Sequence, residues 1–251
     1  MTGQSPRIQK IIEALDNLRR SGRFVEKGNL EWHKVGFQID GLIGINPVEG
    51  WLGRCYWHLV MGNTPDIHYS VRNVFRLTRN VPVILETVGI YAGHGMPSAA
   101  APAYAYAANP VHGNLPEALP YAAATGCLQM VAEYIDKASA QGADLGEAQE
   151  LAGKVQRAAK ILQKHGITDA NVAAHLDLAG EVMREDKRFQ SLPQLHMPDD
   201  TPESFLIEFL VDCSPTEVAT YNQRLSEKEK AAGIAGKPAY HVVFSAVGQE
   251  R

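Results

Sequence analysis

The feature that most constrains this chain is its punctuation. A capping residue followed at once by proline recurs at Ser5-Pro6, Thr64-Pro65 and Ser214-Pro215. A short polar side chain can accept from the orphan N–H groups of a first helical turn. Proline has no N–H to lose there, and its fixed φ suits the turn. At Ser214-Pro215-Thr216-Glu217 a glutamate three residues after the serine completes a capping box. Apolar residues follow at helical spacing: Ile8, Ile11, Ile12, Leu15 and Leu18 after the first start, and Ile67, Val71, Val74 and Phe75 after the second. Further helices read from Pro47 or Val48 to about Val60, over 81–91 entered at Pro82, and with short breaks from Leu115 to about Phe189. Gly126, Gly142, Gly166 and Gly180 are expected to punctuate the last of these. Thr201-Pro202-Glu203 is expected to open another helix carrying Phe205, Leu206, Phe209 and Leu210.

Two stretches break this pattern towards β-structure. Leu30, Trp32, Val35, Phe37 and Ile39 interleave with polar residues and glycine, which predicts one or two strands. Tyr240 to Val247 is rich in β-branched and aromatic residues, which predicts a closing strand that could pair with the first. The expected fold class is therefore mainly α: a multi-helix globular fold or irregular helical-hairpin array with a small terminal β-element.

Gly93 to Gly113 holds no charged residue and is dense in Gly, Ala and Pro. It reads as a long functional loop or boundary, part of which can form a short Ala-rich helix over 99–108. Residues 191–201 read as a linker. The chain thus divides into an N-terminal mixed α/β segment over 1–113, carrying the Ala/Pro-rich loop, and a helical segment with a C-terminal strand over 114–251. One single domain fits the same features.

With 251 residues, 45% of them hydrophobic and 21% charged, the chain can bury a substantial core. A formal net charge of -4 and the lack of a long basic stripe argue against nucleic acid and acidic membrane as partners. The nearest basic cluster, Arg72, Arg76 and Arg79, reads as a solvated helix face. The three cysteines, Cys55, Cys127 and Cys213, form no C-x-x-C pair. Free thiols in a reducing compartment are expected. The first ten residues carry no apolar run of secretory type, and the apolar stretch 81–92 is too short to span a bilayer. A cytoplasmic protein is the expectation; a protein exported without a leader would look the same.

Between Leu119 and Asp144 the order runs Leu-Pro, Tyr-Ala-Ala-Ala-Thr-Gly, Leu-Gln-Met-Val-Ala-Glu-Tyr-Ile and finally Gly-Ala-Asp. This segment resembles the core of an ankyrin repeat. The resemblance implies a small-residue first helix, an amphipathic second helix and a surface for binding a protein partner. Here the opening order is Ala-Leu-Pro-Tyr in place of the family's Thr-Pro-Leu-His, and residues 138–141 lengthen the second helix or its exit. No regular repeat continues elsewhere at the family's period of about 33.

The residues with chemical potential divide into three groups. Cys55 lies near the start of an expected helix and His241 begins the expected last strand, an arrangement that loosely resembles the papain-like cysteine hydrolases. That resemblance would make Cys55 a nucleophile and His241 its base, although the local Gly-Ser-Cys-Trp context is absent and no downstream strand is left for an orienting residue. A buried structural cysteine and an ordinary strand histidine fit the same residues. The nine histidines show no metal-ligand spacing and no E-x-x-H, so no metal or cofactor is expected. Gly233 to Pro238 lacks the residues of a phosphate loop and reads as a turn. With no catalytic residue favoured, the expected function is that of a non-enzymatic interaction protein, such as an adaptor, a chaperone-like factor or an accessory subunit. Its expected contact residues are Tyr104 and Tyr106 in the Ala/Pro-rich segment and Tyr121, Met130 and Tyr134 in the hairpin, since Tyr supplies large contact area at low entropic cost. The alternative is a thiol-dependent hydrolase or transferase using Cys55 and His241. Neither reading specifies an oligomeric state.

Overall fold

A computed structural model describes residues 5–112, 114–198, 203–234 and 239–247. The fold is mainly α with a small C-terminal sheet, as the punctuation requires. Helix α1 spans Pro6–Arg19, with Pro6 in its first turn, and buries Ile8, Ile11 and Leu15. Its cap residue Ser5 donates from N and Oγ to Glu49 at 2.7 and 2.5 Å, which ties α1 to α3 (Pro47–Met61).

The strands expected over 30–39 are instead helix α2, Leu30–Ile43. The apparent alternation arose because Leu30 and Phe37 are apolar yet point to solvent, at 77% and 78% exposure. Without them, Trp32, Val35, Ile39 and Leu42 remain, a helical stripe that is wholly buried. The Asn29 side chain accepts from Trp32 N–H at 2.9 Å and starts the helix. Trp32 stacks on Trp57 of α3, with ring centroids 3.8 Å apart and planes 7° apart. Each indole N–H donates to the other residue's carbonyl, at 3.1 and 2.8 Å. The first three helices enclose their own cluster around Ile8, Ile39 and Val60.

Helices α4 (Thr64–Leu77) and α5 (Val81–Gly93) follow as expected. Residues 93–112 do not form the expected long loop. They make a tight turn at Gly95, whose φ is 68°, and then form α6, Pro97–Ala108, with Pro102 inside it. Alanines at 100, 103, 107 and 108 have too little bulk to hold a neighbour away, so α6 packs into the centre of the main core. A one-turn α7 (Leu115–Ala118), a 3-10 turn at 119–121 and a one-turn α8 (Ala122–Thr125) lead to Gly126 in the left-handed region. Then come α9 (Leu128–Ala140), α10 (Gln149–Lys164) and α11 (Asp169–Glu185), which runs unbroken through Gly180 because that glycine packs against the Gly95 backbone and does not end the helix. The main core takes residues from both sides of position 113, from Leu52 to Ala246.

The C-terminal part holds a further correction. Residues 205–211, expected as a helix, form strand β2 (Phe205–Val211), and the expected linker contains strand β1 (Gln194–His196). A short apolar run cannot reveal its period; pairing decides it. β1 runs antiparallel to β2, and β2 runs parallel to β3 (Tyr240–Ala246) in the register Phe205↔Tyr240 to Val211↔Ala246. The last strand therefore pairs with β2 and not with the region of Trp32. Helix α12 (Pro215–Ala231) makes the crossover, opened by the expected capping box: Glu217 N–H donates to Ser214 Oγ at 3.3 Å and Ser214 N–H donates to Glu217 Oε2 at 2.9 Å. The helix start expected at 201–202 and most of the turn at 233–238 lie outside the described residues.

Candidate binding groove

The arginine cluster is exposed, as expected, with Arg72 and Arg76 on α4 and Arg79 just past its C-terminal end. The start of α4 is set by Pro65 in its first turn and by Asn63, whose Nδ2 donates to Asp66 Oδ2 at 2.6 Å. That phase buries Ile67, Val71 and Val74 and leaves Arg72 exposed beside α6, while Arg79 follows the end of the helix, past the extended backbone of Thr78. Between α4 and α6 lies a groove of about 400 Å³ lined by Val71, Arg72, Phe75, Arg79, Tyr91, Ala99, Pro102, Ala103 and Tyr106. Its volume falls in the usual range of ligand sites. The floor is apolar, the rim carries two guanidinium groups, and no carboxylate belongs to the lining.

Tyr106 donates from its hydroxyl to the Arg79 carbonyl at 3.3 Å and stacks on His112, with centroids 4.7 Å apart. Arg79 folds back onto the α4 C-terminus and donates to the carbonyls of Phe75 and Thr78. At the deep end, Tyr91 Oη and His68 Nδ1 are 3.1 Å apart. Burial pushes Tyr91 up to about 12, with Cys55 adding to the rise and Arg72 opposing it. Burial, then Arg72, lowers His68. Tyr91 and His68 are thus both neutral at pH 7, one a hydroxyl and the other an imidazole. The groove offers cationic donors, a hydroxyl and apolar area, a combination suited to binding.

The expected contact residues separate. Tyr106 lines the groove. Tyr104 is fully buried and donates to the Ala118 carbonyl at 3.1 Å, so it is a core residue and no contact residue. Tyr121, Met130 and Tyr134 are half-buried against the main core, and Lys137 Nζ lies 5.5 Å from the Tyr134 ring.

Cys55 sits in the body of α3 and has no exposed surface. Burial raises its thiol far above the ordinary range. A nucleophilic thiol needs access and a thiolate, and this one has neither. His241 is exposed on β3, opposite Leu206. Cys127 is also buried, with its pKa pushed up to about 11, whereas Cys213 is half-exposed. Alkylation of the native protein should therefore label Cys213 first and reach Cys55 only on unfolding. Rapid labelling at Cys55 would restore the thiol-chemistry reading.

The histidines serve the fold in their own ways. His175 is buried between Glu229, 2.6 Å from Nε2, and Tyr240, 3.1 Å from Nδ1, which links α11 to α12 and β3. His94 Nε2 lies 2.7 Å from Thr64 Oγ1. Among the described residues no three His, Cys, Asp or Glu side chains gather as a metal site, and no helix is long and apolar enough to cross a membrane.

Sequence reading assigned Arg72 and Arg79 to a solvated face and did not single out Tyr91. Arg72 and Phe75, three residues apart, share a face of α4, whereas Arg79 lies past the helix end, where periodicity carries no signal. No family model, curated protein or solved structure matches this chain.

Proposed function

We propose that the protein is a non-enzymatic interaction protein that receives an acidic segment of a protein partner, tipped by an aliphatic or aromatic side chain, in the groove between α4 and α6. The observation that carries this reading is an apolar floor of Val71, Phe75, Pro102 and Ala103 under two arginines, with no carboxylate in the lining. An apolar side chain entering the floor would leave water, and its flanking carboxylates would meet the guanidinium groups of Arg72 and Arg79. The chain as a whole is acidic, with a net charge of -4. A local cationic rim on an acidic protein gives an acidic partner one favoured place to dock.

Photo-cross-linking in the native cell tests the proposal. A benzophenone amino acid placed at Pro102, which is exposed at the groove, should capture a segment whose sequence holds Asp or Glu beside Leu, Phe or Trp. The same probe at Tyr134 should capture far less. Arg72→Glu with Arg79→Glu should cut the yield from position 102 by roughly tenfold or more, since each like-charge contact costs a kcal/mol or more. Far-UV circular dichroism should be unchanged, because both side chains are exposed. Capture of a basic segment, or undiminished capture by the double variant, would exclude the proposal.

A further inference from the structure

A second cavity, of about 630 Å³, lies on a different part of the molecule and is lined by Arg23, Phe24, Val25, Glu26, Lys27, Met61, Gly62, Arg184 and Lys187. Four cations and one carboxylate meet there, on a chain whose net charge is -4. They come from segments some 160 residues apart that the backbone locks together. Phe24 N–H donates to the Lys187 carbonyl at 2.7 Å, Phe189 N–H to the Gly22 carbonyl at 3.2 Å, and Val25 N–H to the Val60 carbonyl at 2.9 Å. Lys187 holds a φ of 54°, a left-handed conformation uncommon for a residue with a side chain. The convergence is thus built into the backbone and does not depend on flexible side chains meeting by chance.

Part of this charge has a structural use. The C-terminal ends of α3 and α11 border the cavity, and each carries roughly half a negative charge. Arg184 and Lys187 oppose that charge. Glu181, Asp177 and Glu185 also act on Arg184 from α11, outside the cavity lining, and Glu26 is the one carboxylate within it. Among the described residues none of the four forms an ion pair with a carboxylate within 4.0 Å. Arg184 spends Nη1 on the carbonyls of His94 and Gly95, and its Nε and Nη2 have no protein acceptor among the described residues. A guanidinium held by one arm and open along the other suits bidentate capture of an oxyanion.

We infer that this cavity binds the phosphate group of a small phosphorylated molecule, with Arg184 as the anchoring fork and Arg23, Lys27 and Lys187 as the surrounding charge. Four cations against one carboxylate in the lining suit a phosphate carrying nearly two negative charges. Phe24, Val25 and Met61 supply an apolar wall for the rest of such a molecule, and the volume accommodates one of nucleotide size. The inference is independent of the groove, which lies between other helices.

Titration calorimetry of the full chain with sodium pyrophosphate tests it, with sodium sulfate as comparison. Saturable one-site binding, tighter for pyrophosphate and weakening as salt rises, is the expected result. Lys27→Gln with Lys187→Asn should weaken it by roughly tenfold. Both lysines are exposed, and Asn tolerates the left-handed backbone at 187, so the variant should keep its fold. A separate arm uses vesicles of phosphatidylglycerol, because a lipid headgroup offers the same phosphate chemistry. Sedimentation with vesicles in the absence of pyrophosphate binding would overturn the small-molecule assignment. Equal affinity in the double variant, or no saturable heat, would overturn the site itself.

Discussion

Gly180→Ala should cost the fold roughly 3 kcal/mol, among the largest effects of any single methyl group in this protein. A Cβ at Gly180 would fall on the backbone of Gly95, with the carbonyl carbon and Cα each 2.6 Å away. Nothing there can yield cheaply. Gly95 is at the tight turn between α5 and α6 with φ 68°, and the carbonyls of His94 and Gly95 are held by Arg184. Helix α11 would have to move off that turn, carrying Arg184 with it. Gly153→Ala is the matched control. Gly153 is helical and has open space where its Cβ would go. Alanine there should stabilise by roughly 0.5–1 kcal/mol, since glycine's extra freedom in the unfolded chain is removed. Urea denaturation of both variants settles the matter. A loss below about 1 kcal/mol for Gly180→Ala would show that the two backbones are less closely packed than described.

Acid should unfold the protein through its buried histidines. His94 has 2% of its surface exposed, touches the Phe24 ring, and has an Nδ1 with no partner among the described residues. Burial, then the Arg184 charge, lowers its pKa from 6.5 to about 3. His58 is lowered to about 4, mainly by burial, with Asp66 opposing and Arg54 assisting. The folded state thus binds these protons less readily than the unfolded chain does. Their contribution is fully present above pH 6.5 and is lost as pH falls from 6.5 towards 3. For His94 alone the loss at pH 4 is roughly 3 kcal/mol. His94→Gln should lower stability at neutral pH, because the contact with Thr64 is altered, yet flatten the decline between pH 6.5 and 4. Stability measured by urea across that range should show the flattening. An imidazole resonance of His94 titrating near 6.5 would contradict it.

Legibility varied with the range of the interactions involved. The capping box at Ser214 and the helix starts marked by Pro6 and Pro65 were plain in the sequence, because such signals lie within four residues of the helix; yet Ser5 makes no side-chain cap, and Asn63, one residue before the expected Thr64, is the cap of α4. The buried stripe of α2 was obscured by Leu30 and Phe37, which are apolar but exposed. The chain does not mark which of its apolar residues will be left outside. Strand β2 read as a helix because its six apolar residues, interrupted by Glu208 alone, satisfy either period. Its neighbours β1 and β3, the latter some 35 positions later, decide the matter. Tyr104 and Tyr106 looked equivalent in the same Ala-rich stretch. Two residues apart on a helix they point in different directions, one into the core and one onto the groove.

The candidate sites were less legible than the fold. Arg72 and Arg79 were visible as a basic cluster, but half of the apolar floor beside them comes from α6, about thirty residues away. The second cavity joins 23–27 to 184–187, and nothing in either segment announces the other. Gly95 and Gly180 meet backbone to backbone across 85 positions. By itself the sequence determined the helix-rich class, the individual helix starts and the supply of apolar surface, because these rest on sterics and hydrogen bonds within a turn or two. Only the tertiary structure decided which face of each helix is buried, which apolar run becomes a strand and which cations converge. Those outcomes depend on loop closure and packing between distant segments, where many local choices have nearly equal energy until the chain is folded.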